Sequence, residues 1–256
     1  MKTAKLFAGL IAAFTISVLS CPQELPIYQY PFSFTPLPVV IVNETFTGYQ
    51  TGTLNISSTG SSLNCPYGVF RKTPDTPSDA VFSIVDDCER RALKIQNQGG
   101  AGGGLVTEFL FVPSMAAYNS MRGQKVLLQF RVRLENTNAV TLSGPTVYSN
   151  CHEAGSPGGG KLVESLISGS GNIQFTGSDK VTTMAQNRWH NIEMLCDFGS
   201  EGIRETSQKC MVYFNGNLIN NDYFFTRPAL SAGTVQFSMS TYGTTVYISG
   251  ITISTE

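Results

Sequence analysis

The sequence predicts an all-β protein, an antiparallel β-sandwich of the jelly-roll kind, and three observations carry that prediction. Apolar and polar residues alternate with period two in a series of short segments. Turn residues punctuate those segments, with 25 glycines and 12 prolines among 256 residues. Outside residues 1–20, no stretch sustains apolar residues at helical spacing for three turns. Short strands with glycine-rich connections and few helices bury their apolar faces best as two antiparallel sheets packed together.

The elements follow in chain order. Lys2 and Lys5 precede an uncharged run from Leu6 to Leu19 that ends on the small residue Ser20, so residues 1–20 read as a secretory signal peptide. A membrane span needs about 20 apolar residues, and neither this run nor any later one is that long, so no transmembrane segment is expected. An alternative takes Val18 to Cys21 as a lipoprotein cleavage site, with Cys21 acylated and anchoring the protein. Residues 21–38 interleave five prolines with aromatics. Proline cannot donate to a sheet ladder, so this is expected to be an extended N-terminal arm. Residues 39–256 then form one domain, a size common for a single sandwich.

Within the domain, the alternation marks strands in ALKIQN (92–97), GLVTEFLFV (104–112), VLLQFRVRL (126–134) and NIQF (172–175). It continues in NIEMLCDF (191–198), CMVYF (210–214), TVQFSM (234–239) and TVYISGITI (245–253). In VLLQFRVRL, Val126, Leu128, Phe130, Val132 and Leu134 share one face, while Gln129, Arg131 and Arg133 share the other, expected to meet solvent. The glycine clusters GGAGGG (99–104) and GSPGGG (155–160) are loops, and neither has the Lys and Ser or Thr that complete a phosphate cradle.

Composition narrows the function. Hydrophobic residues make up 41% of the chain, with 16 Phe and 10 Tyr, enough for a large core. The formal charge is −1 with no basic run in the body, which argues against nucleic acid as a partner. Six cysteines in an exported chain suggest three disulfides, and none is arranged as CxxC, so zinc and thioredoxin chemistry have little support. The sequons at Asn43 and Asn55 are candidate glycosylation sites.

RWHNIEMLCDF (188–198) collects the chain's single Trp, a His, two carboxylates and a Cys. Followed by a polar loop and CMVYF, it reads as one arm of a hairpin in which Cys196 and Cys210 lie equally far from the midpoint. Directly opposed residues bring their Cβ atoms to about 4.5 to 5.5 Å, close to disulfide reach. Asn215-Gly216 then turns the chain. Glu193 and Asp197 fall about 13 Å apart along a strand that rises roughly 3.3 Å per residue. Glycosidase carboxyl pairs need about 5 to 9.5 Å, so the segment is a strand, with Trp189 and His190 in core or rim roles.

The Arg-Trp-His opening, the alternating strand ending Asp197-Phe198, and then VYFNGNLI (212–219) resemble the concanavalin A-like lectin and glucanase superfamily, laminin G-like modules included. NETFTGYQTGTL (43–54) is similar to the opening strand and turn of such domains, ALKIQNQ (92–98) to the strand after their first insertion, and TTVYISGITIS (244–254) to their closing strand. The resemblance implies a concave sheet face that binds sugar chains. On it rests the leading expectation, a secreted, extracellular carbohydrate-binding or adhesive module that offers Tyr148, Tyr242 and Tyr247 to a glycan, since aromatic faces stack on sugar rings.

The second expectation is a polysaccharide-cleaving enzyme. The E-x-D-x-E strand motif of many related glucanases is absent. The order of Thr107-Glu108, a later glutamate, Trp-His and the closing strand resembles fungal jelly-roll β-glucanases, which would make Glu108 one carboxyl and Glu153 or Glu164 the other. Lyase chemistry would instead want a Tyr or His base beside a cation that neutralises an acidic sugar, a job open to Arg131 or Arg133. No cofactor is required. Calcium, frequent in this fold, would find Asp86 and Asp87, and His152-Glu153 could help hold a metal. A purely structural extracellular protein is the third expectation.

Overall fold

The computed structural model describes residues 37–73, 76, 80–87, 90–97, 106–135, 142–148, 161–167, 172–175, 181–199, 208–224, 229, 231–239 and 245–256. The leader, the arm up to residue 36, both glycine clusters, and Cys21, Cys88, Cys151, His152, Glu153 and Tyr242 lie outside the described residues.

The described elements are nearly all strands. They run β1 Val39–Glu44, β2 Gly52–Thr53, β3 Gly68–Lys72, β4 Val81–Asp87, β5 Arg90–Gln96 and β6 Thr107–Pro113, then helix α1 Met115–Ser120. After it come β7 Lys125–Glu135, β8 Leu142–Tyr148, β9 Lys161–Ile167, β10 Asn172–Phe175 and β11 Val181–Thr183. The remainder are β12 Trp189–Asp197, β13 Lys209–Phe214, β14 Asn217–Phe224, β15 Val235–Met239 and β16 Thr245–Thr255. The one described helix is short; the Ser114 hydroxyl caps it by accepting from the Ala117 N–H at 3.2 Å.

These strands form two antiparallel sheets. A nine-stranded sheet has the order β14-β13-β12-β7-β16-β5-β4-β2, with β1 also paired to β16, and a seven-stranded sheet has the order β11-β10-β9-β8-β15-β6-β3. Period-two alternation in β7 turns Val126, Leu128, Phe130, Val132 and Leu134 toward the seven-stranded sheet, as expected from the sequence. Phe130 meets Phe237 of β15 edge-on, with centroids 6.1 Å apart, and Phe82 of β4 meets Phe109 of β6 at 6.0 Å. Aromatic contacts of this kind join the layers into one core.

The other face of β7 departs from expectation. Gln129 was expected in solvent but is buried, and so is Leu127 beside it. Asn191 and Glu193 on the neighbouring β12 are buried as well. The outward face of the nine-stranded sheet is therefore covered along its middle rather than open.

The β12–β13 hairpin has the register read from the sequence, with Cys196 directly opposite Cys210. Their sulfurs lie 3.3 Å apart as thiols, both fully buried, and burial pushes the Cys210 thiol well above its ordinary pKa. Equilibration with oxidised glutathione is expected to join them, and mass spectrometry of the unreduced protein should recover the Cys196–Cys210 linked peptide. Recovery of either cysteine alkylated or in another bridge contradicts this pairing. Beyond β13, Asn215 and Gly216 take φ values of 50° and 83°, the paired positive values of a type I′ hairpin turn.

Candidate functional site

The outward face of the seven-stranded sheet carries the most ligand-like chemistry. Glu108 on β6 is the register partner of Ser238 on β15, and Leu110 is the partner of Gln236. Cross-strand neighbours on one face stand close enough to bond, and they do. Gln236 Nε2 donates to Glu108 Oε1 at 2.6 Å and Ser238 Oγ donates to the same oxygen at 3.1 Å. The Thr76 hydroxyl accepts from the Glu108 backbone N–H at 3.0 Å and donates to its carbonyl at 3.2 Å, fixing the strand there. Both side-chain donors take Oε1. Among the described residues none donates to Oε2, and Gln236 Oε1, buried beside it, has no described donor either.

A transverse row runs from Arg71 on β3 through Leu110 and Gln236 to Thr146 on β8 and the backbone position of Glu164 on β9. Glu108 and Glu164 thus belong to one sheet but stand three strand steps apart, about 14 Å at roughly 4.8 Å per step.

The two described tyrosines proposed as glycan platforms are buried, correcting the expectation that they face solvent: Tyr148 is 8% exposed and Tyr247 6%. Tyr247 lies in the middle of the nine-stranded sheet, where the Arg133 guanidinium stacks on its ring at 3.9 Å and its hydroxyl donates to Glu135 at 2.5 Å. Burial and that carboxylate raise the Tyr247 pKa, which makes it a poor base. Arg133 was expected on a solvated face, yet its Nη2 donates to Asp87 Oδ1 at 3.0 Å, and its Nε lies 2.9 Å from Oδ2 as an ion-pair contact without hydrogen-bond geometry. Burial raises the Asp87 pKa against the opposing pull of Arg133. Arg131 is half-buried, and burial lowers its pKa.

Asp86 pairs with Arg91 at 2.6 Å, so both aspartates suggested for calcium spend their charge on arginines. Among the described residues, no three His, Cys, Asp or Glu side chains gather where they could hold a metal ion. Asn43 and Asn55 are exposed. No described helix is long and apolar enough to cross a membrane.

His190 is a core histidine. Its Nε2 hydrogen donates to the Ala185 carbonyl at 2.8 Å, while Nδ1 accepts from Asn215 Nδ2 at 2.8 Å. The amide cannot turn over without loss, because Asn215 Oδ1 accepts from the Asn191 N–H at 3.0 Å. The pocket therefore takes the neutral ring, and burial lowers the His190 pKa. An unfolded chain takes up this proton first as pH falls through about 6.5, so stability should decline below that pH until the folded ring also protonates. NMR titration of the ring should give a midpoint below 6.5; a midpoint above it contradicts the neutral tautomer.

No family model matches this chain, and no curated protein does. Among solved structures, a variant of alginate lyase Aly36B in complex with an alginate trisaccharide is similar, with a TM-score of 0.52 and 12% identity, covering 86% of this chain and 99% of that one. An endo-β-1,4-glucuronan lyase from the fungus Trichoderma reesei gives 0.49 at 15% identity, over 81% and 96%. A β-glucanase from Bacillus licheniformis gives 0.48 at 11%, over 84% and 98%. The likeness is one of fold, and that fold is the jelly-roll β-sandwich of the concanavalin A-like type.

Proposed function

We propose that this protein is an exported module that binds a glycan across the outward face of its seven-stranded sheet, at Glu108. The observation that carries the reading is the half-buried carboxylate of Glu108, whose Oε1 is held by Gln236 and Ser238 while no described group donates to Oε2. A carbohydrate brings hydroxyl donors that such a carboxylate oxygen can accept.

Binding is favoured over cleavage because two groups that could move a proton are engaged elsewhere. His190 is locked in the core, and Tyr247 is tied to Glu135. A polysaccharide-cleaving enzyme is the second reading. It draws on the alginate trisaccharide bound by the similar lyase and on the position of Glu108 in the sheet.

The test is incubation of the purified protein with a panel of neutral and acidic polysaccharides, scoring retention and release of reducing or unsaturated ends. Retention without release is expected. Release from any substrate overturns the binding-only reading and makes Glu108 a candidate acid, while neither retention nor release removes the glycan altogether.

A further inference from the structure

We propose that Asn43, in preference to Asn55, carries an N-linked oligosaccharide at the β1 edge of the nine-stranded sheet. The first observation is the display of the motif. Burial alternates along the chain here: Val42, Glu44 and Phe46 turn inward, each at most 6% exposed, while Asn43, Thr45 and Thr47 between and after them are exposed. The acceptor amide and the hydroxyl two residues on, which the Asn-x-Thr motif requires, are therefore displayed together. Thr45 Oγ1 meets the exposed Thr47 hydroxyl at 2.9 Å. A sugar chain there displaces no core side chain.

The second observation is the order in which the two motifs become fixed. Strand β1 pairs with β16, and Asn43 stands opposite Thr252 near the far end of the chain. With some 200 residues between them and synthesis at about 5–20 residues per second, Asn43 stays unpaired for roughly 10–40 s. The motif at Asn55 closes on itself instead. Ser57 Oγ, its required hydroxyl, donates to the Gly60 carbonyl at 2.9 Å and accepts from the Gly60 N–H at 3.1 Å. Ile56 and Ser61 bridge, and the Ser62 N–H donates to the Asn55 carbonyl at 2.8 Å. Contacts that span so few residues form in about 1–10 μs. The hydroxyl at Ser57 is thus engaged while Asn43 and Thr45 still wait for a partner.

The donor is an oligosaccharide joined to a lipid through pyrophosphate. Asn43 Nδ2 attacks the anomeric carbon, a C–N bond forms as the C–O bond to pyrophosphate breaks, the lipid pyrophosphate leaves, and the amide gives up one proton. Once β1 has paired, the sugar stands at an edge, since among the described residues β1 has β16 on one side and no strand on the other. Val39 and Val40 of that strand are each 49% exposed. An apolar edge of this kind invites pairing with other chains, and a bulky hydrophilic chain beside it hinders that pairing. Glu108 lies on the other sheet, so the sugar leaves its face clear. The proposal rests on export, the first part of the proposed function, and is independent of glycan binding at Glu108.

Production of the full chain, with its own leader, in a eukaryotic cell line tests it, with peptide mass spectrometry before and after an amidase that converts glycosylated Asn to Asp. The unmodified fraction should be several-fold smaller at Asn43 than at Asn55. Thr45→Ala should leave Asn43 bare with the thermal midpoint of the secreted protein nearly unchanged, because Thr45 is exposed. If the Thr45→Ala chain is not secreted, Thr45→Val, which keeps the shape of the side chain, replaces it with the same loss of modification expected. Equal or reversed fractions at the two asparagines in secreted protein overturn the proposal, and so does an Asn43 that is bare in the parent. A chain that stays in the cytosol, bare at both asparagines, overturns export and this proposal together.

Discussion

Phe130→Ala is expected to destabilise the fold by about 3–5 kcal/mol, the range for deleting a buried phenylalanine ring. Phe130 has no exposed surface, and it is the β7 side chain whose ring meets Phe237 across the sandwich. Its backbone pairs with Ile192 on one side and Ile251 on the other, so its ring sits among the apolar rows of three central strands. Removing it leaves a cavity that neither sheet can close without breaking register. Urea or guanidinium unfolding should show a lower midpoint with an unchanged slope. A loss under about 1 kcal/mol would mean that the two sheets do not share this core.

Gly68→Ala is the second large effect, through overpacking. A methyl at Gly68 would stand 2.3 Å from the Val112 carbonyl oxygen and 2.9 Å from Pro113 Cα. Those are backbone atoms of the adjacent β6, which cannot swing aside as a side chain does. Strand β3 pairs along Gly68–Lys72 with Phe109–Pro113, so the clash is relieved only by parting the first of those pairs. The expected cost is about 3 kcal/mol, the upper part of the range for overpacked sites. Because β3 is an edge strand of the seven-stranded sheet, faster hydrogen exchange of the β3 amides with little change in β7 should accompany the loss. A variant as stable as the parent would mean that Gly68 does not touch β6.

Much of this architecture was legible. The alternation in β7 named its core-facing residues, because a strand with one apolar row has only one way to face the other sheet, and the alternation in β12, β13 and β16 marked them as strands. The opposition of Cys196 and Cys210 followed from symmetric distances to a hairpin midpoint, which needs only local counting. Strand β8 was not legible: its Leu-Ser-Gly-Pro start breaks the period, Gly144 takes φ +139°, and the register with β15 slips between Gln236 and Ser238.

The site was half legible. Glu108 stood out as a residue, but the groups that hold its carboxylate come from 128 and 130 positions away and carry no motif. The fates of Tyr247, Arg133 and Asp87 were hidden for the same reason. Arg133 on β7 meets Asp87 on β4 and Tyr247 on β16 only once distant strands assemble, and that encounter turns three apparently solvated groups into one internal network.

The measurement that tests the central claim most directly is the affinity of Glu108→Gln for whichever polysaccharide retains the parent protein. Gln keeps the size and shape of the side chain but loses the charge, and a hydrogen bond to a charged acceptor contributes about 1.5–3 kcal/mol. Binding should weaken by roughly tenfold to a hundredfold, with the thermal midpoint nearly unchanged because Glu108 is only half-buried. Undiminished affinity in a folded Glu108→Gln protein would place the glycan elsewhere and contradict the assignment of this face.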